Sequence, residues 1–302
     1  MKNKFLVVIA GPTAVGKTAL SIQLCNYFKS IILSADSRQF FKEISIGTAK
    51  PSETELKKAP HYFINSHSIF DDYNVGKYEQ EAIELLKNNF FEYEIIFLTG
   101  GSGLYIDAVC NGFDEVPEKN NAIRKKLQDD LSENGIIFLQ EQLEKLDPDY
   151  FQQVDKSNPQ RLIRALEVCL STGKTYSSFR KKKKKERDFT IIKIALTIPR
   201  NELYQRIDKR VDEMMQNGLE EEAKKMFPNK KINALQTVGY KEIFEAMENE
   251  ISMKKAVELI KQNSRRYAKR QLTWFRKDES YQWFSPTEIE KIIQHIENKI
   301  AE

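Results

Sequence analysis

The chain has 302 residues, 40% hydrophobic and 30% charged, with a formal net charge of +4. That length buries a full core as one large or two modest domains, and no stretch approaches the roughly 18 apolar residues of a membrane span. Cys25, Cys110 and Cys169 are scattered without a Cys-x-x-Cys, and the only histidines are His61, His67 and His295, so neither a disulfide framework nor a zinc site is expected. The net charge hides an asymmetry: residues 180–187 carry seven cations against Glu186, and residues 254–277 carry nine against Glu258. Two basic stretches on an otherwise acidic chain predict localised contact with a polyanion.

In chain order, residues 5–10 form an unbroken apolar run that predicts a buried strand. The basic start and this run are too short for a signal peptide, so a cytoplasmic location is expected. Gly11-Pro12-Thr13-Ala14-Val15-Gly16-Lys17-Thr18 follows and matches G-x-x-x-x-G-K-[ST]. Ala19, Leu20, Ile22, Gln23, Leu24 and Phe28 then fit a helix with an apolar face. In this context the loop is a phosphate site. Its glycines let the backbone wrap an anion, and the helix adds unpaired N–H groups and the positive end of its dipole. Lys17 supplies a point charge and Thr18 a hydroxyl suited to Mg²⁺. Which phosphate compound is held, the loop alone leaves open.

Residues 31–34 predict a second strand ending at Asp36-Ser37-Arg38-Gln39, which puts Asp36 on the same rim as the phosphate loop or makes it a cap or turn residue. A turn-rich segment (46–51), a strand candidate (61–64), a helix (78–90) and a buried strand (94–98) come next. Thr99-Gly100-Gly101-Ser102-Gly103 is a second glycine-rich turn into a helix. From about residue 115 the pattern turns helical, with candidates at 124–131, 138–146 and 161–172 and breaks at Pro148 and Pro159. Strand character returns at 189–198. Helices follow at 203–215, 219–227, 240–247 and 256–274, then a strand at 281–284 and a last helix at 288–300. The expected fold is α/β, a phosphate-loop parallel-sheet core flanked by helices with a helical insertion domain. Its boundaries read as 1–115 and 189–302 for the core and 116–188 for the insertion. In the 256–274 helix, Gln262, Arg265, Arg266, Lys269, Arg270 and Thr273 can share one face. With few acids beside them, they point to phosphate contacts more than to a plain solvated face.

These residues together resemble the tRNA dimethylallyltransferases, also called tRNA isopentenyltransferases. The likeness runs through the phosphate loop, Asp36-Ser-Arg-Gln39, Ile46-Gly-Thr-Ala-Lys-Pro51 and Gly100-Gly-Ser-Gly-Leu-Tyr105. It continues through Pro159-Gln-Arg-Leu-Ile-Arg-Ala-Leu-Glu-Val168, Gln236-Thr-Val-Gly-Tyr-Lys-Glu242 and Ala268-Lys-Arg-Gln-Leu-Thr-Trp274. Ser102 stands where many relatives have Thr, Phe41 replaces a frequent Tyr, and the C-terminal zinc finger of eukaryotic relatives is lacking, which suits a bacterial type.

The resemblance implies transfer of a dimethylallyl group from dimethylallyl diphosphate to N6 of the adenosine 3′-adjacent to the anticodon. Its partner is the tRNA anticodon stem-loop, with no membrane and no obligate protein partner expected. Asp36 would be the general base. Lys17, Thr13, Thr18 with Mg²⁺ and Arg210 would stabilise the diphosphate, with Ser102 near the reacting centre. Asp36, Ser37, Arg38 and Gln39 would meet the adenine side. Arg124, Gln160, Arg161, Leu162, Ile163 and Arg164 of the insertion would contact tRNA, as would Arg265, Arg266, Lys269 and Arg270. A small-metabolite kinase and an adenylate isopentenyltransferase are the alternatives with catalysis; a non-catalytic RNA binder is the one without.

Overall fold

The structure is a computed structural model and describes residues 4–114, 116–180 and 184–302. Six strands form one sheet: β1 (Phe5–Ala10), β2 (Ile32–Ser34), β3 (His61–Tyr62), β4 (Ile95–Gly100), β5 (Thr190–Leu196) and β6 (Gln282–Phe284). Their order is β3-β2-β4-β1-β5-β6 and every pair is parallel. Parallel neighbours need crossovers, which place helices on both faces, and a strand covered on both faces is apolar throughout. All six residues of β1 are buried accordingly. Phe5, Val7 and Ile9 pack on one side with Leu20, Leu24, Ile292 and Ile296. Leu6, Val8 and Ala10 pack on the other with Tyr78, Ala82, Leu86 and Phe275.

After β1 the chain runs to one side of the sheet for β2 and β3, returns to β4, and later crosses to β5 and β6. The order thus reverses around β1, and the crevice beyond the carboxyl ends at such a reversal is where open parallel sheets bind ligands. Ala10 is in register with Gly100 of β4 and Ala195 of β5, so three strands end level there. The expected parallel α/β core is therefore present. Its strands are shorter than the apolar runs suggested at residues 61–64, 189–198 and 281–284: β3 and β5 stop two residues early at their carboxyl ends, and β5 and β6 each start one residue late.

Contacts divide the chain into two compact units: Asn111–Lys185, and the sheet-bearing remainder. The first contains helices Asn121–Leu146, Pro148–Phe151, Pro159–Thr172 and Tyr176–Phe179. The two helices expected at 124–131 and 138–146 are present and follow one another directly, separated by a kink at Gly135, whose φ of 75° no helix accommodates. Pro148 and Pro159 begin helices rather than merely end them: each occupies the first turn, where a missing N–H costs nothing, behind the caps Asp147 and Asn158. Leu127, Leu139, Leu143, Leu162, Ile163 and Leu166 form this unit's own core. Among the described residues no helix is long and apolar enough to cross a membrane.

Candidate active site

The phosphate loop leaves β1 and turns into the helix Lys17–Tyr27 through Gly16, whose φ of 110° is a conformation that side chains resist. The helix N-terminus therefore opens at the carboxyl edge of the sheet. Lys17 Nζ donates to Gly11 O (3.0 Å) and Pro12 O (2.8 Å). Burial pushes the Lys17 amine down to about 8; the nearby Asp36 carboxylate opposes that shift and Arg210 adds to it. Arg210 comes from the helix Arg200–Gln216 and donates to Thr13 Oγ1 at 3.4 Å. Burial also lowers the Arg210 guanidinium from its ordinary value.

Asp36 stands just past β2. Burial raises its carboxyl above the usual range, against the pull of the Arg38 N–H and of Lys17. Its Oδ1 accepts the Arg38 N–H at 2.9 Å. The following residues are laced to the second glycine turn: Ser37 N donates to Ser102 Oγ (2.9 Å), and Ser102 N to Ala35 O (3.3 Å). Thr13, Lys17, Thr18, Asp36 and Arg210 all line one cavity of about 490 Å³. Two cations and one carboxylate, all poorly solvated, thus face a space fit for a multiply charged anion; its arrival would restore the proton affinity of Lys17. Thr18 adds a hydroxyl to this rim. No group of three or more His, Cys, Asp or Glu side chains able to hold a metal occurs among the described residues. A Mg²⁺ here would share its shell between Thr18 and substrate oxygens, the usual habit of that ion.

Gln39, a candidate reader of the adenine edge, is occupied within the protein. Its Nε2 donates to Ala49 O (3.1 Å) and Thr48 O (3.3 Å), and its Oε1 accepts from Ser34 Oγ (3.3 Å). It ties the Asp36–Gln39 stretch to the 46–51 segment. That segment is held from behind by Glu222, whose carboxylate accepts the N–H groups of Ser45, Ile46 and Gly47 at 2.9–3.0 Å and the Tyr240 hydroxyl. The sequence assigns no site role to Glu222, Tyr267 or Gln271, although Gln271 lies within the Ala268–Trp274 motif. Tyr267 and Gln271 line the cavity. Both lie on the basic helix Met253–Phe275, where periodicity located the charged face but not the polar residues turned inward.

The proposed tRNA contacts divide sharply. Leu162 and Ile163 are fully buried in the insertion's core, so they hold a helix and cannot touch RNA directly; this corrects the sequence reading. Arg124 and Arg164 each reach Glu167 Oε2 at 3.2 Å, and Glu167 is wholly buried. Arg164 also donates to Pro117 O at 2.6 Å. Gln160 and Arg161 are exposed. The run expected to grip RNA falls partly on residues 181–183, outside the described residues; Lys184 and Lys185 are exposed. On Met253–Phe275, Arg266, Lys269 and Arg270 are exposed, Arg266 also donating to Asn263 Oδ1 at 3.3 Å, whereas Arg265 pairs with Asp208. The acids missing from that helix are supplied by its neighbour, since Asp212 likewise pairs with Lys261. The unbalanced charge seen in the sequence is thus smaller in the fold.

A parallel sheet with a phosphate loop at its reversal point, and a carboxylate placed across from two cations, defines a phosphate-loop α/β protein built for an anionic group and a proton acceptor. The family model for IPP transferase matches residues 39–278, and the chain belongs to that family. The tRNA dimethylallyltransferase of Christiangramia forsetii is 50% identical over 299 residues, covering 99% of each chain. That of Flavobacterium johnsoniae is 49% identical over 300 residues, covering 97% of each. Among solved structures, the full-length tRNA isopentenylpyrophosphate transferase of Bacillus halodurans superposes with a TM-score of 0.72 at 33% identity, over 100% of this chain and 97% of that one. A eukaryotic dimethylallyltransferase acting on tRNA gives 0.73 at 28% identity, over 90% and 70%.

Proposed function

We propose that this chain transfers a dimethylallyl group from dimethylallyl diphosphate to N6 of the adenosine 3′-adjacent to the anticodon in tRNA. The observation that carries the reading is the convergence of Lys17, Arg210 and Asp36 on one cavity at the sheet's reversal point. Adenine N6 is a weak nucleophile because its lone pair is delocalised into the ring. As the bond from N6 to the allylic carbon forms, the bond from that carbon to the diphosphate oxygen breaks and its electron pair leaves with pyrophosphate. The N6 proton passes to Asp36, whose raised proton affinity suits it to the role once ionised. Lys17, Arg210 and the N-terminus of Lys17–Tyr27 face the charge growing on the leaving group. The Thr18 hydroxyl would help to hold a Mg²⁺, which would supply further neutralisation of the leaving group.

A stacked anticodon loop hides N6, so the base must be turned out into the cavity, at a cost of a few kcal/mol at most for a loop nucleotide. The exposed Gln160, Arg161, Arg266, Lys269 and Arg270 are the groups offered to RNA. Incubation with dimethylallyl diphosphate and tRNA, followed by nucleoside analysis, tests the reading. N6-isopentenyladenosine next to the anticodon is the expected product. Turnover of ATP without prenyl transfer, or AMP accepting the group while tRNA does not, overturns it.

A further inference from the structure

Gln271 has no role in the transfer described above, yet three distant parts of the chain meet at its side chain. Its Oε1 accepts the N–H of Thr13 in the phosphate loop at 2.9 Å, and its Nε2 donates to Gly101 O in the second glycine turn at 2.8 Å. The residue is 5% exposed on an otherwise basic helix. Its two partners fix the orientation of the amide, because an N–H requires the oxygen and a carbonyl requires the nitrogen. A carboxylate of the same shape would lack the donor. Gly101 is shaped to this contact: a Cβ there would lie 2.2 Å from Gln271 Nε2. The same bond commits the Thr13 N–H to the protein and leaves its hydroxyl to meet Arg210.

We propose that Gln271 is a positioning residue for the diphosphate, clamping the phosphate loop to the second glycine turn and so fixing the Thr13–Arg210 edge of the site. This rests on the reading that the cavity takes a diphosphate. Removing the amide leaves a half-buried N–H and a buried carbonyl without these partners and releases the loop from the turn. The probe is inorganic pyrophosphate with Mg²⁺, titrated calorimetrically into the full chain, with tRNA affinity and thermal unfolding measured alongside. In Gln271→Met, which keeps length and packing, pyrophosphate binding is expected to weaken about ten- to a hundredfold. In steady-state assays KM for dimethylallyl diphosphate should rise by a similar factor, with tRNA affinity within about twofold of the parent. Gly101→Ala, whose added methyl displaces the amide without altering Gln271, should reproduce the loss even where the Met variant unfolds. In a Gln271→Ala background the same Gly101→Ala change should add less than it does alone, since the clash with the amide is gone and only the 3.3 Å approach to Gly11 O remains.

Undiminished pyrophosphate binding in folded Gln271→Met or Gly101→Ala overturns the clamp and leaves the assigned function intact. Equal losses of tRNA and pyrophosphate binding also overturn it, because they mark general structural damage. A parent protein that does not bind pyrophosphate overturns the assignment of the cavity itself.

Discussion

Asp36→Asn isolates the proton acceptor from everything else Asp36 does. The amide oxygen can still accept the Arg38 N–H that Asp36 Oδ1 accepts at 2.9 Å, so the turn after β2 is expected to hold. The ability to take a proton from N6 is lost, and with it a factor of about 10²–10⁴ in turnover, or about 3–5 kcal/mol of barrier. Two charge effects follow from the cavity's composition. A negative group leaves a site that receives an anion, so the affinity for dimethylallyl diphosphate should be unchanged or tighter. The Asp36 charge also supports the Lys17 proton, so the amine, already at about 8, falls further. The assay therefore belongs below pH 8, with parent and variant compared at several pH values so that lost Lys17 protonation is separated from the lost base. It should be a single-turnover measurement with saturating tRNA and dimethylallyl diphosphate, repeated across a Mg²⁺ titration. Low turnover that persists at saturation supports the base. A defect cured by excess metal moves Asp36 to the metal's shell instead. Turnover within tenfold of the parent refutes the chemistry assigned to it.

The apparent kcat/KM for dimethylallyl diphosphate should fall as pH rises through about 8, because free Lys17 loses the proton that binds the anion; a plateau to pH 10 would contradict this. Ile163→Ala should destabilise by about 2–5 kcal/mol in urea unfolding, as expected of a fully buried core residue. Unchanged stability with weakened tRNA binding would return it to the RNA surface. Lys269→Gln and Arg270→Gln should each reduce the slope of log affinity for tRNA against log salt by about 1, whereas Arg265→Gln should change it less, its charge being already paired with Asp208. Equal slope changes in all three would show that the pairing opens on binding.

The sequence by itself determined the parts of this protein whose physics is local. A buried strand, glycines at the turn and a helix start make a phosphate loop within fourteen residues, and Lys17 and Thr18 are in place as soon as it forms. The position of Asp36 at the end of a short buried strand was legible in the same way, but the residues alone left it open between a rim carboxylate and a cap, and only the family resemblance gave it a role. The parallel sheet followed from apolar runs separated by helices. Tertiary structure decided what depends on distant segments meeting. Arg210 reaches Thr13 across 197 residues and Gln271 reaches it across 258, and no periodicity encodes either encounter. Burial was likewise undecided where a helix is flanked on several sides. The motif containing Arg161, Leu162, Ile163 and Arg164 looks uniformly like a contact surface in the sequence, yet packing turns the two apolar residues into a core and ties Arg164 to buried Glu167. Charge followed the same rule: the basic face of Met253–Phe275 reads as unbalanced along one helix, and Asp208 and Asp212 on another helix balance part of it. Local motifs are set by backbone conformation and dipoles within a few residues, whereas pairing and burial are set by which faces pack together, and that is a property of the fold.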